Sequence, residues 1–269
     1  MVLELAGFVA CALIGISLGL IGAGGSILTM PVLVFMFNIP PILATTYSLF
    51  IVGVTSLLGT AMKFRKGDVL PGIVLSFGIL SMLVVLLIRR FLLPVVPPVL
   101  FHIGARAMTY NWLSMVVFAL LMMLAAWLMI RRKDIATDTD LKPSGANGRS
   151  VIAAFSVGTV TGLLGAGGGF ILIPALTLQL RLNMKKAVGT SLAVIFLNCL
   201  IGFFSDTGRG QINWVLLSGV TLTALVGCIA GTSLSRHIQA DRLKIGFGWF
   251  ILILGIFILL KQGSLITNL

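Results

Sequence analysis

Negative charge is the scarcest thing in this chain. Seven carboxylates stand against 19 lysines and arginines in 269 residues, and charged residues make up 10% of the sequence where a soluble domain carries about 25%. The carboxylates also avoid the middles of the apolar runs: Glu4 lies near the start, and Asp68, Asp206 and Asp241 fall at segment ends. A proton relay through buried Asp or Glu is therefore not legible. Histidine is almost absent too. His102 and His237 sit in or beside connecting regions, so no Ser/His/Asp or Cys/His set can be assembled at one depth, and an enzyme has no visible basis. The three cysteines, Cys11, Cys199 and Cys228, lack CxxC spacing and a neighbouring histidine. They read as small buried hydrophobes; neither a metal, a cofactor nor a disulfide framework is indicated. The first residues lack a basic n-region and an A-x-A cleavage point, so they read as part of the mature fold.

Hydrocarbon is what the chain has instead. Hydrophobic residues form 58% of the sequence and mean hydropathy is +1.15. They come in runs of about twenty or more, as a hydrocarbon core roughly 30 Å thick demands of a helix. Eight segments result: 2–37, 42–62, 69–90, 108–130, 151–180, 187–206, 211–234 and 245–261. The expectation is an all-α, polytopic membrane protein whose partners are the lipid bilayer and a small solute. The net charge of +12 sits in short clusters between the apolar runs and on no solvated face, so it carries topology and excludes a nucleic-acid partner. The one polar stretch of length, Arg131 to Ser150, holds charges of both signs with Pro143, Gly145 and Gly148, and reads as a linker. It divides the chain into a first membrane repeat, 1–130, a cytoplasmic linker, 131–150, and a second membrane repeat, 151–269.

An offset of 143 residues lays one half over the other. GLIGAGGSILTMPVL from Gly19 then meets GLLGAGGGFILIPAL from Gly162, and between Ala10 and Leu33 ten of 24 positions are identical. The register holds through Ser48/Ser191, Gly59/Gly202 and Gly67/Gly210. Unrelated apolar helices would not keep glycines and a proline in step for so long. The chain is an internal duplication, a frequent transporter signature.

The segments that carry the repeat are too long for one straight span. At 1.5 Å per residue, 36 residues would extend about 54 Å and 30 residues about 45 Å. Each is interrupted by a glycine run, Gly22 to Gly25 and Gly165 to Gly169, where backbone can leave the helix. If both segments crossed, the basic residues would divide 10 to 9 between the two sides. If both are re-entrant hairpins, each half keeps three spans, the halves face opposite ways, and the split is 14 inside to 5 outside. The positive-inside rule favours the second arrangement, two inverted repeats, each a glycine-broken hairpin plus three spans. The first arm, 2–21, is nonetheless long enough to cross by itself.

The glycine breaks are the strongest candidate site. A broken helix exposes N–H groups at the start of its second arm, and these with the helix dipole attract anions. In inverted repeats the two breaks are expected to approach near the midplane, so one anion could lie between Gly24, Gly25 and Ser26 and Gly167, Gly168 and Gly169. The GxxxG pairs Gly15/Gly19 and Gly158/Gly162 read as packing surfaces. Nucleotide binding is excluded, because GAGGS is followed by neither GK[ST] nor a third glycine at GxGxxG spacing. Ser48 and its mate Ser191, with Thr190, could complete an anion's shell or bond back to helix carbonyls. Asn198, mid-span, points to a polar cavity or an interhelical bond. Asp206 and Arg209 could guard an entrance or form a loop salt bridge.

The duplicated GLIGAGG…P and GLLGAGG…P motifs, the central linker and the stretch GTSLAVIFLNCLIG resemble the sulfite exporter TauE/SafE family of bacterial membrane proteins over nearly the whole chain. The resemblance implies a multi-pass permease of the bacterial plasma (inner) membrane exporting sulfite, sulfonates or related organic anions, with support carried only by Gly22 to Ser26 with Pro31, and Gly165 to Gly169 with Pro174. Residues 91–111 depart from the family's pattern in their proline content. A secondary transporter is the leading expectation; a passive anion channel with the same site and an integral membrane enzyme are the alternatives. The identity of the anion, any coupling ion and homo-oligomerisation are left open.

Overall fold

A computed structural model of the chain describes residues 2–21, 23–97, 99–103, 106–131, 148–165, 184–206, 212–234 and 240–267, with Gly169, Leu172, Ile173, Leu176 and Leu182. The helices are α1 (Val2–Ile21), α2 (Thr29–Met36), α3 (Pro41–Phe64), α4 (Pro71–Val95), α5 (Tyr110–Arg131), α6 (Gly148–Leu164), α7 (Met184–Asp206), α8 (Trp214–Leu234) and α9 (Ala240–Thr267). A 3₁₀ turn, Ala23–Leu28, joins α1 to α2. Proline sets two starts, with Pro41 and Pro71 at first helical positions where the missing N–H costs nothing. Gly67, at φ +74°, stops α3 by taking the left-handed conformation. Its N–H reaches the Phe64 carbonyl at 3.0 Å.

The expectation of an all-α chain needs one amendment. Between α4 and α5 the strands β1 (Val99–Ile103) and β2 (Arg106–Thr109) pair antiparallel. This is the proline-rich region that departs from the family pattern. Pro97 and Pro98 disfavour helix there, and a hairpin satisfies the backbone instead.

Among the described residues four helices, α3, α4, residues Lys185–Asp206 of α7, and α8, are long and apolar enough to cross a bilayer. Large apolar side chains face outward as well as inward. Leu13, Leu75, Phe155, Leu222 and Ile253 are exposed, while Ser48, Ser56, Thr161, Ser191 and Asn198 are enclosed within a largely apolar core. An exterior so rich in large apolar side chains suits a lipid surround. The chain is a helical, multi-pass membrane protein.

Segment 2–37 doubles back. Phe37 returns to the start of α1, where its ring edge lies 2.7 Å from where a Gly7 Cβ would stand. Its ring meets that of Phe8 edge-on at 5.4 Å. Both ends of the segment therefore share one side, here the first face, which also carries the starts of α3 and α8, since the Asn213 N–H donates to Tyr47 Oη at 2.6 Å. The return turn recurs in the second half: Ile39 N–H donates to the Leu33 carbonyl at 3.2 Å, and Leu182 N–H to the Leu176 carbonyl at 3.4 Å. These are repeat mates at the offset of 143.

Helix packing repeats in the same way, with partners exchanged between halves. α1 lies on α8, where Gly15 meets the Ala224 carbonyl and Gly19 meets Cys228, Gly231 and Thr232 with no room for a side chain. α6 lies on α4, where Gly158 meets the Ser81 carbonyl and Gly162 meets Ile88. The GxxxG pairs thus bring backbones together, as expected. At the centre α3 packs on its own mate α7. A methyl at Gly59 would stand 3.1 Å from Leu192 Cδ1, and one at Gly202 3.0 Å from Leu49 Cδ1. Because early residues of α3 meet late residues of α7, the two run antiparallel.

Candidate functional site

The sequence-selected residues are spread along the depth of the fold. Gly24, Gly25 and Ser26 lie in the 3₁₀ turn beyond α1, and Gly25 packs against Ile14, Ser17 and Leu18. Gly167 and Gly168 lie outside the described residues; Gly169 is helical and buried. Gly165, at φ +66°, ends α6 and abuts Thr45 in the first turn of α3, with a notional Cβ 2.5 Å from that of Thr45. The second break is therefore at the first face. The first break lies beyond Gly19, at the last turn of α8. From Trp214 to Gly231 a helix rises about 25 Å, so Gly165 and Gly19, the described residues that flank the two breaks, sit near opposite faces.

Ser48 and Ser191 diverge likewise. The antiparallel register sets Ser191 opposite the far end of α3, about 20 Å along the axis from Ser48. Both are fully buried. Ser191 Oγ donates to the Val188 carbonyl at 2.8 Å, while Ser48 Oγ has no hydrogen-bond partner among the described residues. Thr190 Oγ1 accepts from Leu70 N–H at 3.2 Å. Asn198 lies level with the centre of α3; its Oδ1 accepts from Ser81 Oγ at 2.9 Å, and its Nδ2 has no partner among the described residues. It combines an interhelical bond with an unspent donor.

A feature that the sequence concealed sits at the first face. Arg89, counted among the outer charges, lies inside α4, fully buried, and Asp206, at the end of α7, is 5% exposed. Arg89 Nη1 bonds Asp206 Oδ2. Thr46 Oγ1 donates to the same oxygen at 2.8 Å. The expected partner of Asp206, Arg209, lies outside the described residues; Arg89 is the partner that the described residues give. Two π turns, Val74–Gly78 and Ile88–Leu92, explain how the helix continues past the expected end at residue 90 and turns Arg89 inward. Burying such a pair costs several kcal/mol per ion before the partners recover it, about the largest single polar cost in the fold. Intramembrane ion pairs of this kind mark solute pathways.

Above the pair opens a cavity of about 270 Å³, lined by Pro40, Ile42, Leu43, Thr46, Leu93, Asp206 and Ile212. Pockets for drug-sized ligands run about 300–1,000 Å³, so this one suits a small solute. Tyr110, at the start of α5 and within electrostatic reach of Arg89 and Asp206, donates its hydroxyl to the Leu163 carbonyl of α6 at 3.2 Å. In the sequence this place was hinted at by Asp206, as a possible entrance guard, and by the motif glycine Gly165, which abuts Thr45. The pairing of residues 117 positions apart left no local signal.

Comparison with known proteins agrees with a transporter. The family model described as Sulfite exporter TauE/SafE matches residues 7–258. A "Probable membrane transporter protein" of Xylella fastidiosa is 25% identical over 263 residues, covering 94% of this chain and 93% of the relative. One from Haemophilus influenzae is 27% identical over 272 residues, covering 93% and 96%. "Probable membrane transporter protein YdhB" of Bacillus subtilis is 26% identical over 232 residues, covering 86% and 90%. No solved structure matches the chain.

Proposed function

Because the chain belongs to the sulfite exporter TauE/SafE family, we propose that it is a secondary transporter moving sulfite, organosulfonates or similar small oxyanions out across the bacterial plasma membrane. The observation that carries this reading is the antiparallel packing of α3 on its repeat mate α7. A two-fold axis that pairs mates antiparallel lies in the membrane plane, so the halves face opposite sides, which is the framework of alternating access. The doubled-back segment 2–37 supports the same arrangement, because it leaves an odd number of spans in each half. The excess of basic residues puts the first face outside.

Breaks near opposite faces serve the anion in turn, not jointly. In this reading Gly24, Gly25 and Ser26 serve the anion from the inner side and Gly167, Gly168 and Gly169 from the outer, with Ser48, Thr190, Ser191 and Asn198 between. Uptake by proteoliposomes tests the reading with sulfite, methanesulfonate and acetate. Saturable, coupled flux of the first two is expected; absence of flux from all three sinks it, and unsaturable flux assigns a channel. Cysteines introduced at residues 38–41 and 181–186 should label from opposite sides of the membrane, and labelling from one side would remove the inverted halves.

A further inference from the structure

Buried arginine beside a solute-sized cavity needs an explanation that packing does not give, because Asp206 both lines the cavity and occupies the guanidinium. We propose that Asp206 is an internal stand-in for the transported anion: it holds Arg89 while the outer cavity is empty, and a small oxyanion entering past Thr46 takes its place. The proposal rests on the transporter reading and adds the group that recognises substrate charge.

Three observations support it. The oxygen on Arg89 belongs to a carboxylate, so the site already holds an oxyanion against a guanidinium, a donor suited to carboxylate and phosphate-like oxygens alike. Thr46 holds the same oxygen at 2.8 Å from the cavity wall, so it can retain Asp206 once the guanidinium has turned to the newcomer. Gly165, which ends α6, abuts Thr45 beside this hydroxyl, so the end of α6 lies next to the residue that would move with the pair. Substrate then competes with an intramolecular anion at high effective concentration, which sets a modest affinity and excludes neutral solutes of the same size.

Thermal melting of the purified full-length protein, titrated with sulfite and with methanesulfonate, tests this. Asp206→Asn should lower the half-saturating anion concentration at least tenfold, since the competitor is gone. Arg89→Gln should abolish the saturable shift, and Arg89→Lys should restore part of it. If Asp206→Asn survives purification only with methanesulfonate present, the anion is filling the vacated place, which is the same result by another readout. Asp206→Asn binding as weakly as wild type or more weakly overturns the proposal, as does its loss with and without anion while Asp206→Glu folds and binds like wild type. A wild-type response that Arg89→Gln leaves intact overturns this proposal alone. A wild-type protein that responds to neither anion and transports none overturns the transporter reading beneath it.

Discussion

The two faces of the molecule carry the same scaffold and different chemistry. At the first face Asp206 is held by Arg89 and Thr46. The repeat mates of those three residues, at the second face, are Lys63, Thr232 and Gly189. Thr232 there donates within its own helix, to the Cys228 carbonyl at 2.8 Å, and Gly189 lets the Asp68 backbone approach. Yet Gly15 on Ala224 and Gly158 on Ser81 are the same contact twice over. Backbone contact between helices tolerates little variation, since any side chain breaks it. A buried ion pair, by contrast, is needed wherever substrate charge must be matched, and one copy suffices.

Mutating mates in parallel sharpens that contrast. Arg89→Gln removes the guanidinium that bonds buried Asp206 and should cost about 3–5 kcal/mol, whereas Thr232→Val should cost about 1 kcal/mol; reversible unfolding in bicelles measures both. Equal losses would erase the asymmetry. Gly15→Leu and Gly158→Leu should each lose about 3 kcal/mol, because the new side chain meets carbonyls that no rotamer avoids. Gly246→Leu, with nothing within 4 Å of its notional Cβ, is the neutral control. A large difference between the two glycine variants would show that the repeated contact is not equivalent in the two halves. Thr46→Val removes a hydrogen bond to a charged group and should cost about 2 kcal/mol. Smallest is the serine pair: Ser191→Ala gives up a bond to Val188, about 1 kcal/mol, while Ser48→Ala gives up none and should stay within about 0.5 kcal/mol of wild type. If Ser48→Ala slows anion flux without changing melting, that hydroxyl faces the transported anion.

Much of this arrangement was legible from the residues. Glycines and prolines at a fixed offset announced the duplication, because backbone requirements leave marks that hydrophobic substitution cannot erase. GxxxG spacing announced the α1 and α6 contacts. The excess length of 2–37 announced a break. Three things were not legible. Arg89 and Asp206 look like ordinary segment ends, and their meeting depends on π turns and on packing between halves. Depth was not legible either: the general pattern of inverted repeats suggested breaks near the midplane, whereas α1 runs beside α8 from Phe8 at Gly219 to Gly19 at Thr232. The β1–β2 ribbon escaped because a few residues between prolines carry no period.

The exchange of partners between halves also constrains how the protein is made. α6 emerges after its partner α4 and can dock at once. α1 emerges first, and the helix that covers its glycine face begins at Trp214, about two hundred residues later. At synthesis rates of about 5–20 residues per second the wait is roughly 10–40 s. For that interval Gly15 and Gly19 offer bare backbone to lipid or to any insertion factor at the translocon. A ribosome stalled after the first repeat would release a half that has placed every one of its own helices and still lacks the neighbour of its first.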